Sequence, residues 1–346
     1  MAADRKRIVI FNVNWLGDVL FSTAVIRNIR SNYPASYIAC IIPKRCVPVL
    51  EGNPYINEII VFDEKGSHKG LKGKLLFIRE LKKKRFDCAF LLHRSMTRAF
   101  IIWAAGIRER IGYITAKRGI FLTKKVQPPD INRVHRIDYY LGVIAGAGLA
   151  IKDRHTNFFY SEADREFVRS FLQDRSIGPG DMIVGLNPGG NWDLKRWQKE
   201  KFAALADRLI DEMGARVIFT GSPEDKDLVS EIRSLMRSPA DTACGIFSLK
   251  QFAALCSRLS VFVTADSGPL HIANAVGAKK IIALFGPTHP GLTGPVPAER
   301  VVILQKNTGC NIPCYMVNCS DNRCMKAISV EDVFAATRSA IRATNQ

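Results

Sequence analysis

Three short stretches carry the residue types that could do chemistry. Asp18 follows the apolar run RIVIFNVNWLG, Lys195 and Arg196 follow LNPGGNWDL, and Asp266, Ser267 and Gly268 follow VFVTA. Each stands where a β-branched run breaks into a turn, so a carboxylate, a pair of cations and a small polar turn all fall at predicted strand ends. At Asp266 the turn is followed by Pro269, which suits a first helical turn, and Gly277 closes the short helix. A strand, tight turn and helix in this order leave backbone N–H groups unpaired at the helix N-terminus, which is an anion site. The Ser267 hydroxyl and the bare Gly268 let a phosphate approach the backbone. The plain alternative is that Asp266 or Ser267 only caps the helix. A cap alone leaves Gly268, His271 and the second turn at Gly286, Pro287 and Thr288 unexplained, so phosphate binding is favoured. For Asp18 the local sequence weighs an N-cap and a catalytic carboxylate about equally.

The elements that must position these residues are legible as alternating strands and helices. Strands are predicted over Arg7–Val13, Tyr37–Ile42, Ile59–Phe62 and Cys88–Leu92, with a helix over Val19–Asn32 and another from Val134 to Gly148. A helix over Glu162–Asp174 precedes Gly178, Pro179 and Gly180, where the hinge-like composition places a domain boundary. The expected units are residues 1–177, residues 178–328, and a C-terminal helix in 329–346. In the second unit, strands Met182–Leu186, Arg216–Thr220, Val261–Val263 and Ile281–Phe285 end at Gly189, Gly221, Gly268 and Gly286. Four such loops at one edge of a parallel sheet point to a nucleotide site. Asn187, Gly189, Gly221 and Ser222 form its turns, and Lys195 with Arg196 would neutralise a diphosphate, since cations at a helix start oppose the dipole and ask for an anion. Asp225 or Glu224 would accept ribose hydroxyls, and Phe247 would pack on a base.

With 346 residues the chain has room for two cores, and no run of apolar residues is long enough to span a bilayer. The amino end, MAADRKRIVIF, lacks the apolar core and cleavage site of a signal peptide, and a cytoplasmic location is expected. Formal net charge is +18, concentrated in residues 1–150, where 26 Lys and Arg face 11 Asp and Glu. That half should meet something acidic: a lipid surface, a phosphorylated acceptor or nucleic acid. Arg94, Arg98 and Arg118 stand in its predicted loops, alongside Asn14, Trp15, Gly17 and His93 at strand ends, and form a candidate acceptor surface. No G-x-G-x-x-G and no G-x-x-x-x-G-K-[ST] occurs, which argues against an NAD-dependent oxidoreductase. The odd total of nine cysteines fits a reducing compartment better than a disulfide framework. Cys310, Cys314, Cys319 and Cys324 are spaced closely enough for a zinc or iron–sulfur set but lack a C-x2-C knuckle, and reduced thiols or an adventitious disulfide, without a metal, are expected.

Together, NWLGDVLFS, LNPGGNWDLKRW, GSPED, TADSGPLHIANAVG and LFGPTHPGLTGP resemble the bacterial lipopolysaccharide heptosyltransferases of glycosyltransferase family 9. The resemblance covers nearly the whole chain in order. It implies an α/β GT-B fold, two Rossmann-like domains with parallel sheets facing across a cleft, the donor on the second and the acceptor on the first. It further implies an inverting transfer of heptose from ADP-heptose to the inner core of a lipid A precursor at the inner-membrane surface, without a cofactor or metal. By position Asp18 matches the general base, Lys195 the phosphate-binding lysine, Asp266 to Gly268 the diphosphate turn and Asp225 the ribose site. Thr288 and His289 match positions facing the sugar, although the family commonly has an acidic residue where His289 stands. The readings weighed against it are a GT-B transferase using another nucleotide sugar or glycan-lipid acceptor, and a basic nucleic-acid-binding protein. The latter lacks an RNP-type aromatic set or a zinc finger, so no nucleic-acid partner is expected.

Overall fold

A computed structural model describes residues 5–316 and 318–343. The chain divides into two compact units, residues 1–157 and 158–346. In the first, β1 (Arg7–Phe11), α1 (Leu16–Asn32), β2 (Tyr37–Ile42), α2 (Val47–Leu50) and β3 (Glu58–Val61) run outward from the sheet centre. Then α3 (Gly70–Lys84), β4 (Cys88–Leu91), α4 (Met96–Ala104), β5 (Glu109–Tyr113), β6 (Lys124–Val126) and α5 (Arg136–Gly146) build the other side. The sheet order is β3-β2-β1-β4-β5-β6, and every pairing recorded in it is parallel.

The second unit repeats the plan. It contains α6 (Glu162–Gln173), β7 (Ile183–Asn187), α7 (Lys199–Met213), β8 (Arg216–Phe219), α8 (Lys226–Leu235), β9 (Asp241–Thr242) and α9 (Leu249–Cys256). These are followed by β10 (Val261–Ala265), α10 (Gly268–Ala275), β11 (Ile281–Leu284), α11 (Pro290–Thr293), β12 (Val301–Leu304), α12 (Arg323–Lys326) and α13 (Val330–Arg342). Its sheet order is β12-β11-β10-β7-β8-β9, again parallel. Strand direction reverses its order of travel between β1 and β4 in one unit and between β7 and β10 in the other. At such switch points the loops leave a crevice at the carboxyl edge, where ligands bind in open α/β sheets.

The strands are apolar on both faces because helices cover both. Val9, Phe11, Ala39, Ile41, Phe77, Leu81, Ala99 and Ile102 belong to one core, in which α3 and α4 close the same sheet face. In the second unit Leu186, Phe202, Leu209, Val263 and Leu284 share a core with Trp197 and Met325.

Two expectations about organisation are corrected. The unit boundary lies at 157/158, about twenty residues before Gly178. The amphipathic helix α6 buries Val168, Phe171 and Leu172 and packs beside α9, so it belongs to the second unit. The final helix was expected to return to the first domain. Instead Val333, Phe334, Ala340 and Ile341 of α13 join the second unit's core, against α7 and the β10–β12 side of its sheet. Capping boxes at Ser161 and Ser329 fix where α6 and α13 begin.

Candidate active site

At the carboxyl edge of the first sheet, β1 ends at Phe11 and the chain turns through Asn12 and Asn14 into α1, whose first turn carries Asp18. Trp15 occupies the N-cap position without capping by its side chain, and the Asp18 carboxylate is half-buried. Its Oδ1 accepts a 2.8 Å hydrogen bond from the Tyr140 hydroxyl, which α5 supplies from 122 residues away. Burial, and after it the Asp18 charge, push the Tyr140 phenol far above its usual range, so it stays protonated and donates. Tyr140 therefore fixes the direction in which the carboxylate points. Its role had no signal in the sequence beyond the helical pattern that buries it.

The basic residues expected at this edge divide into two kinds. Arg94 is exposed. Arg98 and Arg118, expected to contact an acceptor, are instead buried. Arg98 donates to the Asn12 carbonyl at 3.1 Å, to Asn14 Oδ1 at 2.6 Å and to Glu64 Oε2 at 2.7 Å, and stacks over the Phe11 ring. Arg118 donates to the carbonyls of His93 and Leu91. Their guanidinium groups collect backbone carbonyls at the end of strand β4 and in the turns that follow β1 and β4. Between them, burial and the charges of Arg98 and Arg118 push the His93 imidazole down to about 4. His93 Nδ1 accepts from the Ser95 N–H at 3.1 Å, and Nε2 lies 3.4 Å from Asn14 Nδ2. Trp15 is exposed beneath the Arg45 guanidinium, 4.9 Å from its ring centre, and Arg45 holds the Asn14 carbonyl. Gly17 has open space around its Cα.

In the second unit the switch point brings β7 and β10 side by side. Asp266, just past β10, is buried, and its Oδ2 lies 2.8 Å from Lys195 Nζ, which also donates to the Asp266 carbonyl at 3.1 Å. Oδ1 lies 3.5 Å from His271 Nε2, and Thr293 Oγ1 donates to Oδ2 at 3.4 Å. Burial alone would raise the carboxyl, but the His271 hydrogen bond and the Lys195 charge hold it far below the usual carboxylate range. Asp266 is thus a fixed anion that seats Lys195. Ser267 is the N-cap residue of α10, yet its side chain makes no capping bond; its hydroxyl donates to the Ala265 carbonyl at 3.3 Å. Neither Asp266 nor Ser267 behaves as the ordinary cap weighed above, and the first turn of α10 lies beside an ammonium group. A helix N-terminus and a lysine together make an anion site.

The glycine loops pack into one another around this point. Asn187 Nδ2 donates to the Gly189 carbonyl at 3.3 Å, and Asn187 Oδ1 accepts from Thr220 at 3.1 Å. A Cβ on Gly189 would lie 2.4 Å from the Asp225 carboxylate, and one on Gly221 would lie 2.9 Å from Cys244 Sγ. Arg196 donates to the Gly190 carbonyl at 2.7 Å and pairs with Asp193, so it braces the loop. Asp225 accepts from the Ser222 N–H and hydroxyl, both at 2.8 Å, in a capping box. With Asp227 it has D-x-D spacing, but among the described residues no group of three or more His, Cys, Asp or Glu side chains is arranged to hold a metal ion.

Three further residues singled out by the sequence have partners within the second unit. The Phe247 ring packs edge-on against Phe167 and Phe171, 5.8 Å and 4.7 Å between centres, and so fastens α6. Gly286 is required by the close approach of Met325, whose Sδ would lie 2.5 Å from a Cβ. His289 caps α11 by accepting from the Gly291 N–H at 3.0 Å. Two polar atoms at this edge are buried without a partner, Thr288 Oγ1 and Trp192 Nε1, and Trp192 lies under Lys195 at 5.7 Å. Orphaned groups of this kind call for a ligand or water. The four clustered cysteines are unbonded and line one cavity of about 270 Å³, together with Leu194 and Pro287.

Two parallel six-stranded units with ligand-grade loops at their switch points are the α/β architecture of the GT-B glycosyltransferases. Residues 75–322 match the model of glycosyltransferase family 9 (heptosyltransferase), and the chain belongs to that family of enzymes. Lipopolysaccharide heptosyltransferase 2 of Salmonella typhimurium is 28% identical over 313 residues, 86% of this chain and 87% of that one. Lipopolysaccharide heptosyltransferase 3 of Escherichia coli is 27% identical over 328 residues, covering 93% and 94%. Among solved structures, a family 9 glycosyltransferase from Veillonella parvula superposes with a TM-score of 0.87 at 27% identity, covering 99% of each chain. ADP-heptose heptosyltransferase II of Escherichia coli superposes at 0.80 with 23% identity, over 98% and 100%, a likeness of fold.

Proposed function

We propose that this enzyme transfers L-glycero-D-manno-heptose from ADP-heptose, with inversion, to the inner core of a lipid A precursor at the cytoplasmic face of the inner membrane. The observation that carries the donor half is the first turn of α10, uncapped by the Ser267 side chain and flanked by Lys195 seated on a buried Asp266. In this reading the diphosphate takes the α10 N–H groups and shares the Lys195 ammonium, so the leaving ADP is stabilised as its charge develops and no divalent cation is required. The orphaned Thr288 hydroxyl and Trp192 N–H supply polar contacts to the sugar and phosphates. Asp18, oriented by Tyr140, removes the proton from the acceptor hydroxyl as that oxygen attacks the anomeric carbon. One carboxylate suffices, because inversion is a single displacement. The heptosyltransferase names of the relatives support the choice of sugar and of a lipopolysaccharide acceptor. An anionic lipid-linked glycan, rather than nucleic acid, then accounts for the basic first half.

The test is transfer from ADP-heptose to a heptosylated, Kdo-containing lipid A acceptor in the presence of a chelator, comparing wild type with Asp18→Asn. Loss of a general base predicts a fall in kcat of about 10²–10⁴ with ADP binding unchanged. Transfer by wild type that Asp18→Asn retains would remove the base assignment. ADP binding without transfer would put the acceptor in error, and no ADP binding would remove the donor.

A further inference from the structure

Helix α3 has an unusual outer face. Phe77, Ile78 and Leu81 are buried against the sheet, as amphipathic packing requires, and Gly73 is buried against the backbone at Ser67 and His68. The solvent side is not uniformly polar: Leu71 is 75% exposed, and Leu75 and Leu76 are nearly half exposed. Between them stand the exposed cations Lys72, Arg79, Lys82 and Lys83. Over residues 64–85 nine Lys and Arg face two Glu. Leucines on a water-facing arc gain nothing in solution, and a lysine-only face would be the ordinary choice.

The neighbouring helix repeats the pattern. On α4, Met96, Phe100 and Trp103 fall at i, i+4 and i+7 on one stripe, exposed by 50%, 39% and 49%. Phe100 and Trp103 lie 5.7 Å apart between ring centres, and both contact Phe121. Ile120 in the adjoining turn is 75% exposed, next to the exposed Lys117. Both helices cover the same sheet face and touch each other, so their outer sides form one surface. Both also begin at the carboxyl edge that carries Asp18 and Arg94.

We propose that this outer face of α3 and α4 is a docking surface for an anionic lipid bilayer, with the leucines and aromatic rings entering the headgroup layer and the lysines and arginine meeting lipid phosphates. Charge complementarity selects this occupant: a second copy of the chain would bring the same cations face to face, whereas an anionic interface welcomes an apolar stripe fringed by long cationic side chains. Among the described residues no helix is long and apolar enough to cross a membrane. Attachment by this face therefore lies in the plane of the bilayer. It deepens the reading of a lipid-linked acceptor and rests on that reading only for its purpose, since lipid binding is measured without any sugar.

The experiment is co-sedimentation of the full chain with vesicles of phosphatidylcholine alone or mixed with phosphatidylglycerol. Binding is expected only with the anionic lipid, weakening as salt rises. The Leu71→Ser, Leu75→Ser, Trp103→Ser variant should bind at least about tenfold less well, and so should Lys72→Glu, Lys82→Glu. These residues lie on the outer arc, and unchanged circular dichroism and melting would confirm that each variant is folded. Both variants should still glycosylate a detergent-solubilised acceptor. Wild-type vesicle binding by the folded variants, no binding by wild type, or a dimer that the leucine substitutions dissociate would each overturn the proposal. Vesicle binding lost while transfer to solubilised acceptor persists separates this surface from the activity. Transfer absent while vesicle binding follows the pattern would put the proposed reaction, and not the surface, in error.

Discussion

Lys195 is asked to do two things, and Lys195→Met separates them. In the protein the ammonium is 2.8 Å from the Asp266 carboxylate, with side-chain exposures of 24% and 4%. Removing the cation leaves a buried carboxylate with His271 at 3.5 Å and a weak hydroxyl contact from Thr293. Breaking a buried pair from one side costs about 3–5 kcal/mol. The ammonium is partly hydrated, so the lower end, about 3 kcal/mol, applies. For a unit of this size that is a fall in Tm of about 6–12 °C. Asp266→Asn added to Lys195→Met removes the stranded charge and should recover most of the loss, a coupling that a double-mutant cycle measures. ADP binding should not recover, because the missing charge-assisted hydrogen bond of about 1.5–3 kcal/mol corresponds to about 10–150-fold in Kd. Calorimetry of melting and of ADP titration checks both. Acid sharpens the test: a depressed carboxyl stabilises the fold above its unfolded value near ~4 and loses that contribution as pH falls toward its folded value. The gap in stability between wild type and Lys195→Met should therefore narrow below about pH 4. A single mutant that melts and binds ADP like wild type, or a double mutant no more stable than Lys195→Met, refutes the two-role assignment.

Tyr140→Phe deletes the hydroxyl that orients Asp18 while keeping the buried ring, and a charge-assisted hydrogen bond of about 1.5–3 kcal/mol predicts a kcat loss of about 10–150-fold. The donor KM should not move, and steady-state kinetics at saturating acceptor decides. The His93 imidazole should titrate near 4 rather than near its usual value, read by the pH dependence of its NMR shifts. Because the folded value is depressed, this group's contribution to stability is full above about 6.5 and is lost as pH falls toward the folded value. A midpoint near neutrality would show that burial and the Arg98 and Arg118 charges do not press on it.

The sequence by itself determined the local architecture. Strand, tight turn and helix are written in short runs, since hydrophobic period and turn chemistry act between neighbours. This is why Asp18, Lys195 and the Asp266–Gly268 turn were legible as strand-end residues, and why GSPED could be read as a turn. What tertiary structure decided are the relations between distant segments. The Tyr140 hydroxyl reaches Asp18 across 122 residues, and Lys195 meets Asp266 across 71. Nothing in RIDYYL says which tyrosine faces a carboxylate. An amphipathic helix declares that one face is buried but not against what, so α13 joined the second core and α6 crossed the expected boundary. Arg98 and Arg118 looked like surface cations because charge is visible in sequence, whereas the carbonyls that claim them come from strands β1 and β4 and the turns after them. Chain-local physics fixes which groups stand at strand ends; only the crossing of β1 beside β4, and β7 beside β10, decides which of those groups satisfy one another and which remain for a substrate.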